Sequence, residues 1–147
     1  MSLNQQITED LKVAMKAKDQ IRISCLRMLK TALKNRQVEI TRELKDEEIQ
    51  TVISSLIRKG QEAAEEFKKG GRDDLAAKEE KEIKVFYGYL PQQLKPDEIE
   101  QILKEIISEL SATGPKDLGK VMKEAMNRMV GKAQGREVNE IARRMLS

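Results

Sequence analysis

Three observations in the sequence predict an all-α protein. Apolar residues recur at spacings of three and four nearly throughout the chain. Aromatics make up only 3% of the 147 residues, with no Trp, and Gly (8) and Pro (3) are too scarce for the many turns of a β-sandwich or barrel. The 36% of charged residues exceeds the roughly 25% of an average protein. The 39% of apolar residues still suffices for helical cores with solvated outer faces.

The first helix carries the stripe Leu3, Ile7, Leu11, Ala14 and Met15, with Ser2 and Gln5 spaced as a capping box. A second starts at Asp19, its N-cap candidate, with the stripe Ile21 or Arg22, then Cys25, Leu26, Met28, Leu29, Ala32 and Leu33. The third is long, from Ile49 through Ile53, Ile57 and Ala64 to Phe67. Asp46, Glu47 and Glu48 sit at the positive end of its dipole, and Gly70-Gly71 supplies a left-handed cap. The fourth runs from Asp73 to Tyr89, where Pro91 biases the backbone away from the helix. Short connections make these an antiparallel four-helix bundle over residues 1–90.

A second set follows over residues 91–147. Pro96 suits a first helical position, and Ile99, Ile102, Leu103, Ile106, Ile107 and Leu110 form the strongest stripe in the chain. Gly114-Pro115 breaks the chain and opens a helix with Leu118, Val121, Met122, Ala125, Met126 and Met129. Gly131 and Gly135 bracket a turn, and a last helix carries Val138, Ile141, Ala142 and Met145. These predict a small three-helix domain after a boundary near residues 90–96.

Composition excludes several chemistries. There is no His and only one Cys, so no disulfide within the chain, no His/Cys zinc cluster and no histidine base are possible, and no metal or cofactor is expected. No apolar run is long enough for a membrane span, and residues 1–6 have neither a basic n-region nor an apolar h-region. The expectation is a soluble, cytoplasmic protein without membrane contacts.

The net charge of +3 is small, but it is unevenly spread. Residues 12–42 hold nine cations against two acids, and residues 111–147 hold eight against four. Lys116, Lys120, Lys123 and Asn127 recur along one helix edge opposite the methionines, with Lys132 in the following turn and Arg136 beyond it. Such a row of donors suits a phosphate backbone, and without interleaved aromatics it would read backbone and shape rather than unpaired bases. Arg27, Lys30 and Lys34 form a secondary basic face on the second helix.

Glu79 and Glu82 share a helical face with Leu75, Ile83 and Phe86. Partly buried carboxylates need partners, so a structural ion pair with a neighbouring helix is expected, with Arg27 the choice because it borders the apolar stripe of the second helix; metal binding or acid–base work is the alternative. Cys25 reads as a small core residue. Gly114 to Lys120 matches the spacing of a phosphate-binding loop, but Val121 stands where a hydroxyl is needed and no strand precedes it.

In chain order, Glu79-x-x-Glu82, Tyr89-Leu90-Pro91-Gln92-Gln93-Leu94, Asp117-Leu118-Gly119-Lys120-Val121-Met122 and Gly131-Lys132-Ala133 resemble the YqeY family. These are small bacterial proteins related to the tail domain of the B subunit of glutamine-dependent aminoacyl-tRNA amidotransferase. The resemblance covers nearly the whole chain. It implies a helical bundle followed by a tail-like three-helix domain, the counterpart of the tail that contacts the tRNA elbow. The tail-like motif falls on Gly119, Lys120, Val121, Met122, Gly131, Lys132 and Ala133, of which the two lysines are the candidate RNA contacts. Gln134 stands where the family often has Asp or Asn, and Leu118 where Met is common.

The family label of carbon–nitrogen ligation with glutamine as amide donor lacks its machinery in this sequence. The body of the B subunit and the Ser-Ser-Lys amidase are missing, and Ser54-Ser55 lies on a helix without Gly-rich surroundings. The resemblance therefore implies a non-catalytic accessory protein that binds tRNA, or an amidotransferase or aminoacyl-tRNA synthetase complex, with no DNA specificity. The alternative is a protein-interaction adaptor with no RNA role.

Overall fold

The computed structural model describes residues 2–147, and among them it contains seven α-helices and no strand. The chain divides into two compact units, Met1–Leu90 and Pro91–Ser147.

In the first unit, α1 (Leu3–Ala17), α2 (Gln20–Ile40), α3 (Asp46–Lys69) and α4 (Asp73–Tyr87) surround one core. Local chemistry sets the helix starts. Ser2 and Gln5 form the expected reciprocal box, with Gln5 N–H donating to Ser2 Oγ at 3.2 Å and Ser2 N–H to Gln5 Oε1 at 2.9 Å. Asp19 Oδ1 accepts from Arg22 N–H at 3.2 Å. Gly71, at φ +73°, supplies the left-handed residue just past α3, while Gly70 before it stays at φ −83°.

The α3–α4 hairpin is the tightest pairing, and Gly60 is why. A Cβ on Gly60 would stand 3.0 Å from Ile83 Cγ1, so only glycine lets the two helices approach so closely. α2 and α3 each pack on the other helices of the unit, whereas α1 and α4 do not pack on each other. Ile7, Leu26, Leu29, Ile49, Ile53 and Ile57 are fully buried, each worth about 1.5–3 kcal/mol.

The fourth helix ends at Tyr87, two residues short of the sequence expectation. Gly88 to Leu90 instead form a tight turn, with Tyr89 N–H bonded to Phe86 O and Leu90 N–H to Tyr87 O, both at 3.1 Å. The turn lets the Tyr89 hydroxyl donate to Asp10 Oδ2 at 2.6 Å, with Arg22 Nη2 3.5 Å away. Periodicity could not foresee a tertiary hydrogen bond that ends the helix.

The second unit holds α5 (Pro96–Leu110), a 3-10 turn (Pro115–Asp117), α6 (Leu118–Arg128) and α7 (Gly135–Leu146). Its core is Ile99, Leu103, Ile106, Val121, Ala125, Met129, Val138 and Ala142, all fully buried. Of the three methionines expected inside, Met129 is buried outright, while Met122 and Met126 are half-buried at the edge. Gly135 opens α7 rather than closing the turn before it. No helix of the described residues is long and apolar enough to cross a membrane.

Candidate nucleic-acid interface

The turn between α6 and α7 is built by residues from both ends of the second unit. Gly131 is buried at φ +73°, a conformation that costs L-residues with a Cβ. Its carbonyl accepts from Gln93 Nε2 at 2.7 Å, and the same amide group donates to Pro91 O at 3.0 Å. Beside it, Leu94 N–H donates to Lys132 O at 2.8 Å. The Pro91–Leu94 strap therefore clasps the Gly131–Lys132 turn through two hydrogen bonds, with a third holding the Gln93 side chain within the strap. Gly131 and Ala133 face inward and Lys132 faces solvent. Two of the motifs singled out in the sequence prove to be halves of one structure.

Lys116, Lys120, Lys123, Asn127, Lys132 and Arg136 are all exposed. Lys116 lies on the 3-10 turn, and Lys120, Lys123 and Asn127 follow along α6, the last three spanning about 10 Å of helix. Arg136 reaches Glu140 at 4.0 Å on α7.

The charge pairing separates Arg128 and Arg144 from the lysines. Arg128 binds Glu124 at 2.9 Å and also Glu109 on α5, and Arg144 reaches Glu100 on α5 at 3.7 Å. Lys116, Lys120, Lys123, Lys132 and Arg143 form no ion pair within 4.0 Å among the described residues. The acids of α5 thus engage the arginines facing them and form no ion pair with the lysine edge. Asp117 is a carboxylate whose charge interacts with Lys116 and Lys120 on that edge. It is held below the usual carboxylate range first by the Thr113 N–H, which donates to Oδ2 at 2.9 Å, and then by Lys116 and Lys120.

On the first unit, Arg27 and Lys34 are exposed and form no ion pair, but Lys30 is half-buried and donates to Thr8 Oγ1 at 2.8 Å, tying α2 to α1. Lys30 and Lys34 border a shallow cavity of about 290 Å³ with Asn4, Thr31 and Gln37.

The expected ion pair of Glu79 and Glu82 does not form. Neither carboxylate lies within 4.0 Å of Arg27 or any other cation among the described residues, although Glu82 is only 7% exposed. The two acids interact with each other electrostatically instead. Burial, and then the charge of Glu82, raise the pKa of Glu79. Glu79 Oε2 stands 3.6 Å from the Cβ position of Gly60, so its carboxylate lies over the bare backbone of α3. Arg27 points to solvent because Cys25, Leu26 and Leu29 take the inward face of α2. Cys25 is fully buried, its Sγ 4.0 Å from Glu82 O, and burial first and Glu82 second push its thiol up to about 12, which leaves no thiolate for chemistry. No group of three or more His, Cys, Asp or Glu side chains is gathered for a metal among the described residues.

Two residues carry more than the sequence reading gave them. Gln93 clasps the turn, a role that its place in the Tyr89–Leu94 motif does not reveal, because its partner is 38 residues away. Gln134 is the N-cap of α7, yet it makes no capping bond, and its Nε2 is buried without a hydrogen-bond partner. Its side chain is one methylene longer than the Asn that caps well at such a position.

The sequence profile of the Yqey-like protein family matches residues 4–146, and the chain belongs to that family. Among curated proteins it is similar to yeast proteins named "Altered inheritance of mitochondria protein 41, mitochondrial". The protein from Lachancea thermotolerans is 32% identical over 74% of this chain and 60% of its own length. That from Vanderwaltozyma polyspora is 30% identical over 71% and 58%, and that from Saccharomyces cerevisiae strain S288c is 33% identical over 69% and 56%. The chain thus spans less than two thirds of the relatives it matches. Their names give no support to the expected bacterial, cytoplasmic setting.

Proposed function

We propose that the protein is a non-catalytic accessory factor whose second unit binds folded tRNA through its phosphates, by itself or within an amidotransferase-related complex. The observation that carries this reading is the division of charge on α6 and its flanks. Arg128 and Arg144 are consumed by acids, while Lys116, Lys120, Lys123 and Lys132 stay exposed and unpaired. Lysine ammonium groups on a firm helix and a clasped turn act as point charges for phosphates, and Asn127 adds a neutral donor. Compartment enters this reading only through the yeast relatives, whose name puts those proteins in mitochondria.

Such contacts release counterions, so about four of them give a log–log salt slope near −3. Fluorescence anisotropy with labelled tRNA across a salt series tests the reading, with an unrelated duplex RNA as competitor. The double variant Lys120→Glu, Lys132→Glu should bind more weakly at low salt and flatten the slope while keeping its helicity. Equal binding of tRNA and duplex, or an unaffected double variant, would overturn it.

A second reading, a protein-binding adaptor, is favoured by apolar side chains exposed on α1 and α2, with Val13 62% and Val38 70% exposed. Scattered single apolar residues of this kind are common on protein surfaces. The charge division therefore outweighs them.

A further inference from the structure

The first unit carries a cavity whose charged lining is all of one sign. Asn4 of α1 and Lys30, Thr31, Leu33, Lys34 and Gln37 of α2 line a space of about 290 Å³. Leu33 is buried, Lys30 half-buried, and the other four are exposed, so the cavity opens to solvent. Lys30, Lys34 and Gln37 share one face of α2 at spacings of four and three, which sets the two lysines one turn apart, with about 6 Å between their Cβ atoms. Like charges at that spacing repel. No acid relieves them: Glu9 is engaged by Lys12 and Glu39 by Arg36, and neither Lys30 nor Lys34 has a carboxylate within 4.0 Å among the described residues. Glu43 and Asp46 line an adjoining cavity of about 260 Å³ and not this one, and Leu3 N–H donates to Asp46 Oδ1 at 3.3 Å.

The donors of the cavity are in place and unused. The bond from Lys30 Nζ to Thr8 Oγ1, 2.8 Å long, fixes that ammonium group against α1 without neutralising it, and leaves two of its three donors free. The Thr31 hydroxyl and the side-chain amides of Asn4 and Gln37 make no hydrogen bond within the molecule among the described residues.

We propose that this cavity binds a phosphate group. Every polar side chain lining it can donate and two of them carry positive charge, so the occupant they fit is an anion with several acceptor oxygens. Lysine rather than arginine chooses among anions: a guanidinium forks onto a planar carboxylate, whereas separate ammonium groups act as point charges around a compact tetrahedral one. The volume falls just short of the roughly 300–1,000 Å³ of small-molecule pockets, which suits a phosphate and the first atoms of its ester. The phosphate is carried either by a small monoester or by a polynucleotide backbone, since the same donors serve both. The site belongs to the first unit and does not depend on the tRNA reading of the second.

The test titrates the isotope-labelled full chain with inorganic phosphate at constant ionic strength and follows its amide resonances. Saturable shifts are expected at Asn4 and across residues 30–37, and acetate should bind about 5-fold more weakly or worse. Lys34→Gln should weaken phosphate binding about 5- to 10-fold, the loss of one charge-assisted hydrogen bond, and Thr31→Ala about 2- to 3-fold. Lys34 makes no contact that holds the fold together through charge, and circular dichroism checks that both variants keep their helices.

Two further arms separate the sources of the phosphate. If Lys34→Gln weakens tRNA binding in anisotropy, the site takes a backbone phosphate. If tRNA binding is absent or unchanged by the variant while glycerol 3-phosphate still binds the wild type, the site takes a small monoester. Shifts that do not saturate, that appear equally at Lys120 and Lys123, that acetate reproduces at the same concentration, or that persist unchanged in Lys34→Gln overturn the proposal and leave Lys30 and Lys34 a solvated edge.

Discussion

The two units handle buried and exposed charge in opposite ways. The first unit spends polar groups on tertiary ties. Tyr89 bonds Asp10, Lys30 bonds Thr8, and Leu3 N–H bonds Asp46, all between residues at least 22 positions apart. It also shuts Glu82 into the packing of α4 without an ion pair. The second unit uses its acids to neutralise two arginines, and keeps a row of lysines free in solvent. Similar amphipathic helices thus yield one unit whose charges serve the fold, the Lys30–Lys34 cavity apart, and one whose charges are left over for a partner. A positive sequence block is therefore not yet an interface. The block at residues 12–42 has Lys30 tied by an internal bond, and the block at residues 111–147 loses Arg128 and Arg144 to acids.

The largest expected effects test whether each unit has its own core. Ile53→Ala in the first and Leu103→Ala in the second each remove a fully buried side chain and should cost about 2–5 kcal/mol. Chemical denaturation with separate expression of residues 91–147 checks this. If that segment alone shows no helical circular dichroism, the second core is not self-sufficient.

Next comes the clasp. Gln93→Ala removes both side-chain bonds to Pro91 O and Gly131 O and should cost about 1–3 kcal/mol through the acceptors left behind. It should also weaken tRNA binding without altering any lysine, since the turn that presents Lys132 loosens. Unchanged amide hydrogen exchange across residues 129–134 in that variant would show that the clasp is not what holds the turn.

Capping at α7 gives a gain of stability. Gln134→Asp replaces a side chain that caps nothing and buries an unpaired amide nitrogen with one that can accept from the first turn of the helix. A stabilisation of about 1 kcal/mol is expected, read as a shift in the denaturation midpoint.

The smallest effect sharpens the contrast between buried and exposed acids. Folding raises the pKa of Glu79 through burial first and Glu82 second, so above the ordinary value of 4.5 the folded state binds more proton than the unfolded one. The Glu79 contribution to stability therefore falls as pH rises through that window. Glu48 acts in reverse. Arg42 and the Lys45 N–H hold it at about 2, so its contribution is present above the ordinary carboxylate range and lost as pH falls towards 2. The change in urea midpoint from pH 4.5 to pH 7 should be more positive in Glu79→Gln than in the wild type, because the variant lacks the downward Glu79 contribution. An identical difference in both proteins would remove Glu79 from the account.

The sequence by itself determined the helices and their starts. A 3.6-residue period, the Ser2–Gln5 box, the Asp19 cap and Pro96 all act within about one turn of chain, so their meaning is carried by neighbours. It also carried the candidate lysines, because an exposed helix edge opposite an apolar stripe follows from the same period. Only the tertiary structure decided which cations stay free, since Arg128 meets Glu109 and Arg144 meets Glu100 across helices. Only it turned the Pro91–Leu94 and Gly131–Ala133 motifs into one clasp, left Glu82 buried beside Glu79 instead of paired with Arg27, and brought Asn4 of α1 to the cavity beside Lys30 and Lys34. Each of these joins residues brought together by packing, and no spacing along the chain encodes such a distance.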